Sequence, residues 1–225
     1  MKRFIRALLF FFCLCSCNNL FAQNEAFYGG ARISAGYSSP TQDAVYNQVF
    51  RKAFAMGYGF VFEQNKHERL NICGGVIFVN RAYESDNYFI PNVDPRTYEY
   101  RGWSTDLYVS FPIIFKTGDK NGFYAGIGAA PEFFVTQIAR IKSNRSKRVI
   151  ESTHSFRIFQ LAAIGKFGYQ YNLKRKHKLF AELEGNQGLI QLTNDFVSNL
   201  GTGVITRFNG SLVLGYMYQL STKGR

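Results

Sequence analysis

The amino-acid sequence predicts an all-β protein, an eight-stranded antiparallel up-and-down transmembrane β-barrel. Three observations predict this fold class: eight stretches have strand character, large apolar side chains alternate along them with small or ionised ones, and the connections alternate between long and short. Strands that run up and down put every second connection on the same side, and membrane barrels keep one set of turns short. The sequence therefore predicts four longer loops at one end of a barrel and three short turns, with both termini, at the other.

The N-terminus predicts export. A basic region holding Lys2, Arg3 and Arg6 precedes an apolar stretch at 7–16, and a small-residue cleavage region lies at 20–22. This order is typical of a secretory signal peptide, and the apolar stretch is shorter than the roughly 20 residues of a membrane-spanning helix. The predicted division of the chain is a signal peptide at 1–23 and an outer-membrane β-barrel domain at 24–225.

The cysteines predict no internal disulfide. Cys13, Cys15 and Cys17 all lie in the predicted signal peptide, so Cys73 alone remains in the predicted barrel, where we expect a small wall residue. The run from Leu14 to Cys17 resembles the lipobox of bacterial lipoproteins, which would attach lipid at Cys17. Because Cys15 fits that motif poorly, we favour ordinary cleavage near residue 22 and keep lipid attachment as the alternative.

The charge balance is basic but does not indicate nucleic acid. The chain has 27 Lys and Arg against 15 Asp and Glu, and loss of residues 1–23 leaves 24 against 15, a net charge of +9. An exported protein rarely meets nucleic acid, and the basic residues cluster in predicted connections rather than along one element. The length of the predicted mature chain suits one domain.

The predicted strands and connections follow in chain order. The strands are 27–38, 52–63, 70–82, 103–116, 122–136, 156–172, 178–192 and 207–220. The long connections are 39–51, 83–102, 137–155 and 193–206, and the short ones are 64–69, 117–121 and 173–177.

Alternation within the strands separates two faces. In the second strand one face is bulky and the other small: Phe54, Met56, Tyr58, Phe60 and Phe62 lie opposite Ala55, Gly57, Gly59, Val61 and Glu63. The sixth, seventh and last strands show related patterns, and the third is ambiguous. A soluble barrel of the lipocalin type would expose the second face to water, yet glycine-rich strands make a poor solvated surface.

The small face suits the crowded interior of an eight-stranded barrel, which is only just wide enough for its own side chains. We therefore expect the bulky face to contact lipid and the ionised strand residues to point inward: Arg32, Asp106, Glu132, Lys166, Glu182 and Glu184. A closed barrel also satisfies the backbone hydrogen bonds that an open edge would leave unpaired in hydrocarbon.

Aromatic residues are predicted to form two interfacial girdles. The turn-side girdle is predicted to comprise Phe60, Phe62, Phe115, Phe123, Tyr169, Tyr171, Tyr216 and Tyr218. The loop-side girdle is predicted to comprise Tyr37, Trp103, Phe133 and Phe208.

The segment 107–134 predicts two neighbouring strands joined by a short turn. Its expected lipid-facing residues are Leu107, Val109, Phe111, Ile113, Phe115, Phe123, Ala125 and Ile127, and its expected inward residues are Ser110, Pro112, Gly126 and Gly128. A closed barrel has no free edge to accommodate a proline, so we predict a bulge or a missing ladder bond at Pro112.

This segment also resembles a known family. Tyr108 to Lys116, followed by a polar turn and Phe123 to Gly128, is similar to the central signature of small outer-membrane β-barrel proteins called PorT-like or porin-family proteins. Leu179 to Asn194 and Leu212 to Tyr216 are similar as well. The resemblance implies a Gram-negative outer-membrane barrel and allows a role in protein export. The C-terminal tail after Tyr218 departs from the usual aromatic terminus of such barrels.

Three functions follow from these observations. The leading hypothesis is a non-enzymatic barrel with a structural, envelope-assembly or partner-docking role, without cofactors or a metal, monomeric and in contact with outer-membrane lipid and lipopolysaccharide. Envelope or secretion proteins are its candidate partners. The first alternative is a narrow channel or a component of a PorT-like export system. The second is an enzyme that modifies lipid A, with Glu151, His154 and Ser155 as weak candidates for the catalytic residues.

Two predicted loops carry candidate interaction residues. The basic residues of the third long loop would contact anionic lipid or an acidic partner: Arg140, Lys142, Arg145, Lys147 and Arg148. The second long loop is rich in tyrosine, which suits recognition: Tyr88, Tyr98 and Tyr100.

Overall fold

The computed structural model describes residues 26–42, 49–65, 70–86, 101–142, 147–152, 158–173, 176–189 and 205–222. Ten strands lie in these residues: β1 Ala26–Gln42, β2 Val49–Asn65, β3 Leu70–Asp86, β4 Arg101–Ser110, β5 Ile113–Gly118, β6 Gly122–Lys142, β7 Lys147–Ser152, β8 Phe159–Leu173, β9 His177–Gly188 and β10 Ile205–Thr222. Among the residues described, no helix is long and apolar enough to cross a membrane.

The strands form one closed antiparallel sheet. Strands adjacent in the barrel run antiparallel, and β1 pairs with both β2 and β10, which closes the circle. β4 and β5 both lie between β3 and β6, and β7 and β8 both pair with β6. Each of these two pairs therefore counts as one barrel strand, and the chain is an eight-stranded antiparallel β-barrel, as predicted.

The break between β4 and β5 lies at Pro112. Ser110 pairs with Glu132 and Ile113 with Ala129, so the register continues across the break without a shift. The Phe111 amide donates to the Pro131 carbonyl at 2.9 Å. Pro112 and Pro131 both lack an N–H and lie at the same level of adjacent strands, which explains the missing ladder bonds. The predicted skip at Pro112 is confirmed.

A bulge lies nearer the long-loop end. The register between β4 and β6 shifts between Leu107 and Tyr108. On β6 both Phe134 and Gln137 are buried, with two residues between them instead of one. A bulge inserts an extra residue and changes the alternation of the strand beyond it. The bulge therefore determines which side chains beyond residue 135 point inward.

The predicted extent of the third long loop is wrong. The sequence predicted a connection at 137–155, but β6 continues to Lys142 and β7 pairs with its end from Lys147 to Ser152. The β-branched residues Ile138, Ile141 and Val149 supply β-propensity among the charges. The hairpin therefore extends the ladder to the level of Arg101 in β4, which pairs with Lys142.

The outer wall is apolar and exposed. Ile127 is 73% exposed and Leu183 is 64% exposed, although both are aliphatic residues in the middle of strands. Of the segment 107–134, Ile113, Phe115, Phe123 and Ala125 are exposed with Ile127, while Ser110 and Pro112 are buried. A contiguous exposed surface of so many aliphatic and aromatic side chains does not normally face water. The predicted orientation of the two faces is confirmed at these positions.

Val109 and Phe111 differ from expectation. The register places Val109 opposite Phe78 and Phe133, on the outer face, yet only 3% of Val109 is exposed. Phe111 is also buried and packs edge-on against Phe133, with ring centroids 5.8 Å apart. Neighbouring aromatic rings therefore cover this part of the wall, and the prediction that both residues face lipid is wrong.

The turn-side aromatic residues lie together on the outer wall, as predicted. Seven of the eight are exposed: Phe60, Phe115, Phe123, Tyr169, Tyr171, Tyr216 and Tyr218. Phe62 is half-buried. The Phe123 ring packs against those of Phe167 and Tyr169 at 5.7 and 5.2 Å. At the opposite end Tyr37, Trp103 and Phe208 are exposed, while Phe133 is half-buried.

Two small apolar clusters lie inside the barrel. One contains Tyr28, Phe180, Val213 and Met217, and the other contains Cys73, Ile114, Ala130 and Ile164. Gly215 provides the space for the first, because a Cβ there would lie 2.1 Å from the Phe180 ring. Cys73 is buried with a free thiol and resolves the ambiguous third strand, whose inward residues include Cys73, Ile77 and Arg81.

Candidate functional site

The interior between these apolar clusters is filled by ionised side chains, which form three groups along the barrel. Strand alternation directs these side chains inward, and all six predicted residues lie there: Arg32, Asp106, Glu132, Lys166, Glu182 and Glu184. Their partners lie on other strands, from the adjacent strand for Lys166 and Glu182 to the opposite side of the barrel for Asp106 and Arg207. The interior is therefore the candidate functional site.

The turn-side cluster is centred on Glu63. Its carboxylate accepts hydrogen bonds from Lys116 at 2.8 Å and Lys178 at 2.6 Å, and from Asn71 at 3.0 Å. Lys116 also donates to Gln170 at 2.6 Å. Lys178 lies 4.2 Å from the centroid of the Tyr28 ring. One buried carboxylate thus compensates two buried ammonium groups.

The central cluster contains two ion pairs. Arg32 donates to both oxygens of Glu184, at 2.8 and 3.0 Å. Lys166 and the Tyr124 hydroxyl both donate to Oε1 of Glu182, at 2.9 and 2.5 Å. The planar guanidinium matches the carboxylate geometry, so the first pair is held in a fixed orientation.

The loop-side cluster surrounds Tyr108, which is fully buried. Arg81 forms two 2.6 Å hydrogen bonds with Glu132, and Arg207 donates to Asp106 at 2.5 Å. Both guanidinium groups lie over the Tyr108 ring, 5.0 and 5.4 Å from its centroid. Stacking on an aromatic face adds to the stabilisation of each cation.

Across the described residues, these clusters bring six buried cations together with five buried carboxylates. Every one of the six cations has a carboxylate partner: Arg32, Arg81, Lys116, Lys166, Lys178 and Arg207. A buried charge without a partner costs several kcal/mol. Loss of any one of these carboxylates would therefore leave a buried cation without its partner. The Arg207–Asp106 pair links β10 to β4 on the opposite side of the barrel, and the other pairs link strands that lie nearer to each other. Together these ion pairs occupy interior space that a pore would need.

The remaining space is small. A cavity of about 30 Å³ lies between the Arg32–Glu184 and Arg81–Glu132 pairs, and another of about 20 Å³ lies nearer Glu63. Cavities of this size hold about one or two water molecules each. Asn186 and Asn209 line the first cavity, and Oδ1 of each is buried there without a protein partner. A water molecule could donate a hydrogen bond to each of these two acceptors.

The structure places the predicted interaction residues only in part. Arg140 and Lys142 lie in β6, while Lys147 and Arg148 lie in β7 with Glu151. The others fall outside the described residues: Arg145, His154, Ser155, Tyr88, Tyr98 and Tyr100. The structure therefore does not test the enzyme hypothesis, because His154 and Ser155 lie outside the described residues. In the described part of the chain, no group of three His, Cys, Asp or Glu residues could hold a metal ion.

Sequence reasoning placed Glu63 on the small face but missed its partners Lys116 and Lys178, and it missed Arg81 and Arg207 in the loop-side cluster. The available signal was a cationic residue at an inward position of a strand. Arg81 lay in the ambiguous third strand, and Arg207 lay at the predicted edge of the last one. Neither position could be assigned to a face before the bulges and strand ends were known.

No protein-family model and no curated protein match this chain. Solved structures with a similar shape include Neisserial surface protein A, with 12% identity, a TM-score of 0.43 and coverage of 88% of this chain and 100% of that one. Another is OprG from Pseudomonas aeruginosa, with 13% identity, a TM-score of 0.41 and coverage of 88% and 97%.

A third similar structure is Ail of Yersinia pestis in complex with the heparin analogue sucrose octasulfate, with 13% identity, a TM-score of 0.41 and coverage of 85% and 99%. Similarities at this level do not transfer function. The class follows from the chain itself: a closed eight-stranded antiparallel barrel with an apolar outer wall and an ion-paired interior, the architecture of small outer-membrane β-barrels.

Proposed function

We propose that this protein is an integral protein of the bacterial outer membrane with a structural, envelope-assembly or partner-docking role, and that it is neither an enzyme nor an open pore. The observation that carries the proposal is the filled interior, in which three charged clusters and two apolar clusters occupy the space between the walls. A barrel without a passage offers its surfaces and loops for function rather than its lumen.

The exposed wall supports the membrane location. Leu183, Ile127 and Phe60 are each more than three-fifths exposed, and the sheet closes on itself where β1 pairs with β10. In water this surface would favour aggregation, whereas in hydrocarbon it costs nothing to expose. The sequence also resembles PorT-like proteins. On that basis we propose that its partner is a protein of envelope assembly or of export.

Electrical recording in planar bilayers tests the proposal. We expect the purified folded protein to show no stable conductance, because ion-paired and apolar side chains occupy the interior between the described strands. As a positive control, Arg32→Ala, Arg81→Ala, Glu132→Ala and Glu184→Ala would be combined. This variant removes both bidentate pairs completely, so no buried charge is left unpaired by it. We expect it to show small stepwise conductance.

A stable conductance of the unmodified protein would contradict the proposal and favour the alternative of a narrow channel or export component. Outer-membrane fractionation and heat-modifiable mobility on unboiled gels provide the independent check of folding and location. Recovery as a freely soluble periplasmic protein would contradict the membrane location itself.

A further inference from the structure

The buried charges are unbalanced at one end of the interior. Among the described residues, the central and loop-side clusters each combine two cations with two carboxylates. The turn-side cluster instead combines Lys116 and Lys178 with Glu63 alone, which leaves a net charge of +1. These three side chains are at most 2% exposed. Because water screens buried charges poorly, the excess positive charge acts at close to full strength.

The nearest other carboxylates do not compensate this excess. Glu182 lines the same small cavity as Glu63, but it accepts hydrogen bonds from Lys166 and the Tyr124 hydroxyl. Asp119 lies in the turn between β5 and β6 and is exposed. A buried cation is costly unless an anion pairs with it. An oxyanion from outside the chain would supply the missing negative charge.

Lys178 has hydrogen-bond donors for such an anion. An ammonium group carries three N–H donors. Lys178 donates to Glu63, and its nitrogen lies 4.2 Å from the centroid of the Tyr28 ring. It is the second residue of β9, so it lies close to the turn-side end of the barrel. An anion that comes from this end therefore meets an ammonium group that has donors to offer.

The turn between β5 and β6 is fixed to β8 beside this cluster. We call residues 119–121 of this turn the lid. The Gln170 side chain donates to the Asp119 carbonyl at 2.6 Å, and the Asn172 side chain donates to the Lys120 carbonyl at 2.7 Å. The backbone N–H of Asn172 also donates to a lid side chain at 2.7 Å. Three hydrogen bonds thus hold the lid against β8.

Gln170 connects the lid to the cluster. Its Oε1 accepts a hydrogen bond from Lys116 at 2.6 Å while its Nε2 donates to the lid, and the residue is 1% exposed. An ionised acceptor forms a stronger hydrogen bond with an ammonium group than a neutral amide oxygen does. An oxyanion that binds Lys116 therefore displaces Gln170, and the lid loses the hydrogen bond that Gln170 donates.

We propose that the turn-side cluster binds one oxyanion, a phosphate or carboxylate group, and that the lid closes this site. The inference goes beyond the proposed function and rests on it only for the membrane location, since short turns of outer-membrane barrels face the periplasm. The anion enters from that side when the lid moves. The central and loop-side clusters stay in place, so binding opens no passage through the barrel.

Nuclear magnetic resonance of the protein in uncharged maltoside micelles tests the site. The backbone amides of the lid and the side-chain amide of Gln170 would be followed while inorganic phosphate replaces chloride at constant ionic strength. We expect these resonances to shift and to saturate with phosphate, because the anion displaces Gln170 from Lys116. Acetate serves as the carboxylate probe and should act at the same resonances.

Three variants identify the groups that bind. Lys178→Gln removes the excess charge and leaves Glu63 paired with Lys116, so we expect the phosphate affinity to fall at least about tenfold. The matched control, Lys176→Gln, removes the same charge from an exposed position on the turn side and should change the affinity by less than about twofold. Gln170→Ala removes the competing acceptor and should raise the affinity about threefold to tenfold.

The possible outcomes are distinct. Unchanged lid resonances throughout the phosphate titration would overturn the site. Equal losses of affinity in Lys176→Gln and Lys178→Gln would also overturn it, because they would show an adventitious ion only. If phosphatidylglycerol added to the micelles shifted the resonances and inorganic phosphate did not, the site would stand, with a lipid headgroup as its source of phosphate.

The fold and the membrane location are checked separately. Heat-modifiable mobility verifies that each variant is folded. Failure of the anion site would leave the proposed function intact, because outer-membrane fractionation and the conductance measurement do not depend on phosphate.

Discussion

At the scale of single residues, Glu63 holds the turn-side end of the interior together. Its two oxygens lie 2.8 and 2.6 Å from the ammonium nitrogens of Lys116 and Lys178. Lys116 also lies 3.9 Å from the centroid of the Tyr124 ring, which stabilises a cation but does not neutralise it. Glu63 is thus the carboxylate that compensates the buried positive charges of both Lys116 and Lys178.

Substitution of Glu63 tests this dependence. In Glu63→Gln the two lysines would remain buried and close to one another without a carboxylate. Removing one partner of a buried ion pair costs about 3–5 kcal/mol, and we expect a loss in that range in the free energy of unfolding. The measurement is denaturant unfolding of the protein in lipid vesicles, followed by fluorescence.

The matched control is the double variant Glu63→Gln, Lys116→Gln. Because it removes one of the two uncompensated cations, we expect it to be more stable than Glu63→Gln alone. Contacting residues show such coupling in double-mutant cycles, whereas independent ones add. Additive losses would mean that Glu63 and Lys116 do not interact in the folded barrel.

The residues that point inward could be predicted from the sequence, but their partners could not. Arg32, Glu132 and Glu182 follow from alternation, which is local. The Arg32–Glu184 pair joins residues 152 positions apart, and the Lys178–Glu63 pair joins residues 115 apart. Pairs of this kind depend on the stagger of all the intervening strands, which no local pattern contains.

At the scale of elements, the turn between β5 and β6 requires its glycines. Gly118 and Gly122 have φ values of 150° and 152°, in the region that favours glycine. A Cβ at Gly118 would also lie 2.5 Å from the Phe123 carbonyl oxygen and the Tyr124 Cα. Gly118 therefore permits the close approach of the two strands at the turn.

Replacement of Gly118 by alanine should lower the stability of the barrel. We expect Gly118→Ala to lower the free energy of unfolding by about 1–3 kcal/mol, because it combines backbone strain with a steric clash. The matched control is Gly165→Ala in β8, where a Cβ would meet nothing within 4 Å. Unfolding of both variants would be measured in the same vesicles.

We expect the control, Gly165→Ala, to be neutral or more stable by up to about 1 kcal/mol, since alanine restricts the unfolded chain more than glycine does. An equal loss in both variants would show that the turn conformation is not the cause. Retention of full stability in Gly118→Ala would show that the turn can adopt another conformation.

The element boundaries show where local reasoning fails. The skip at Pro112 was predictable, because proline lacks the donor that a closed barrel needs. The role of Pro131 could not be predicted, because it depends on the register that places Pro131 opposite Phe111. The extension of β6 to Lys142 was mistaken for a loop because its charges resemble a solvated connection, although the backbone there is paired.

At the scale of the whole molecule, the distribution of polar and apolar side chains is the reverse of that in a soluble protein. Ionised residues fill the interior, and the largest apolar side chains cover the outside. Strand order and parity were predictable because the connections alternate between long and short and several strands alternate bulky with small side chains. The covering of Val109 and Phe111 was not, because it depends on rings contributed by neighbouring strands.

The central claim, that the outer wall contacts lipid, is tested by an indole placed on that wall. In a Trp103→Phe background, Ile127→Trp puts the only tryptophan at a mid-strand position that is 73% exposed. The control, Lys120→Trp, puts it in the exposed turn between β5 and β6. Fluorescence quenching by lipids with a spin label in their acyl chains would be compared with quenching by aqueous acrylamide.

The account predicts that the lipid-borne quencher acts strongly at position 127 and weakly at position 120, and that acrylamide shows the reverse. Strong quenching by acrylamide at position 127, with no effect of the lipid quencher, would place the apolar wall in water and contradict the account.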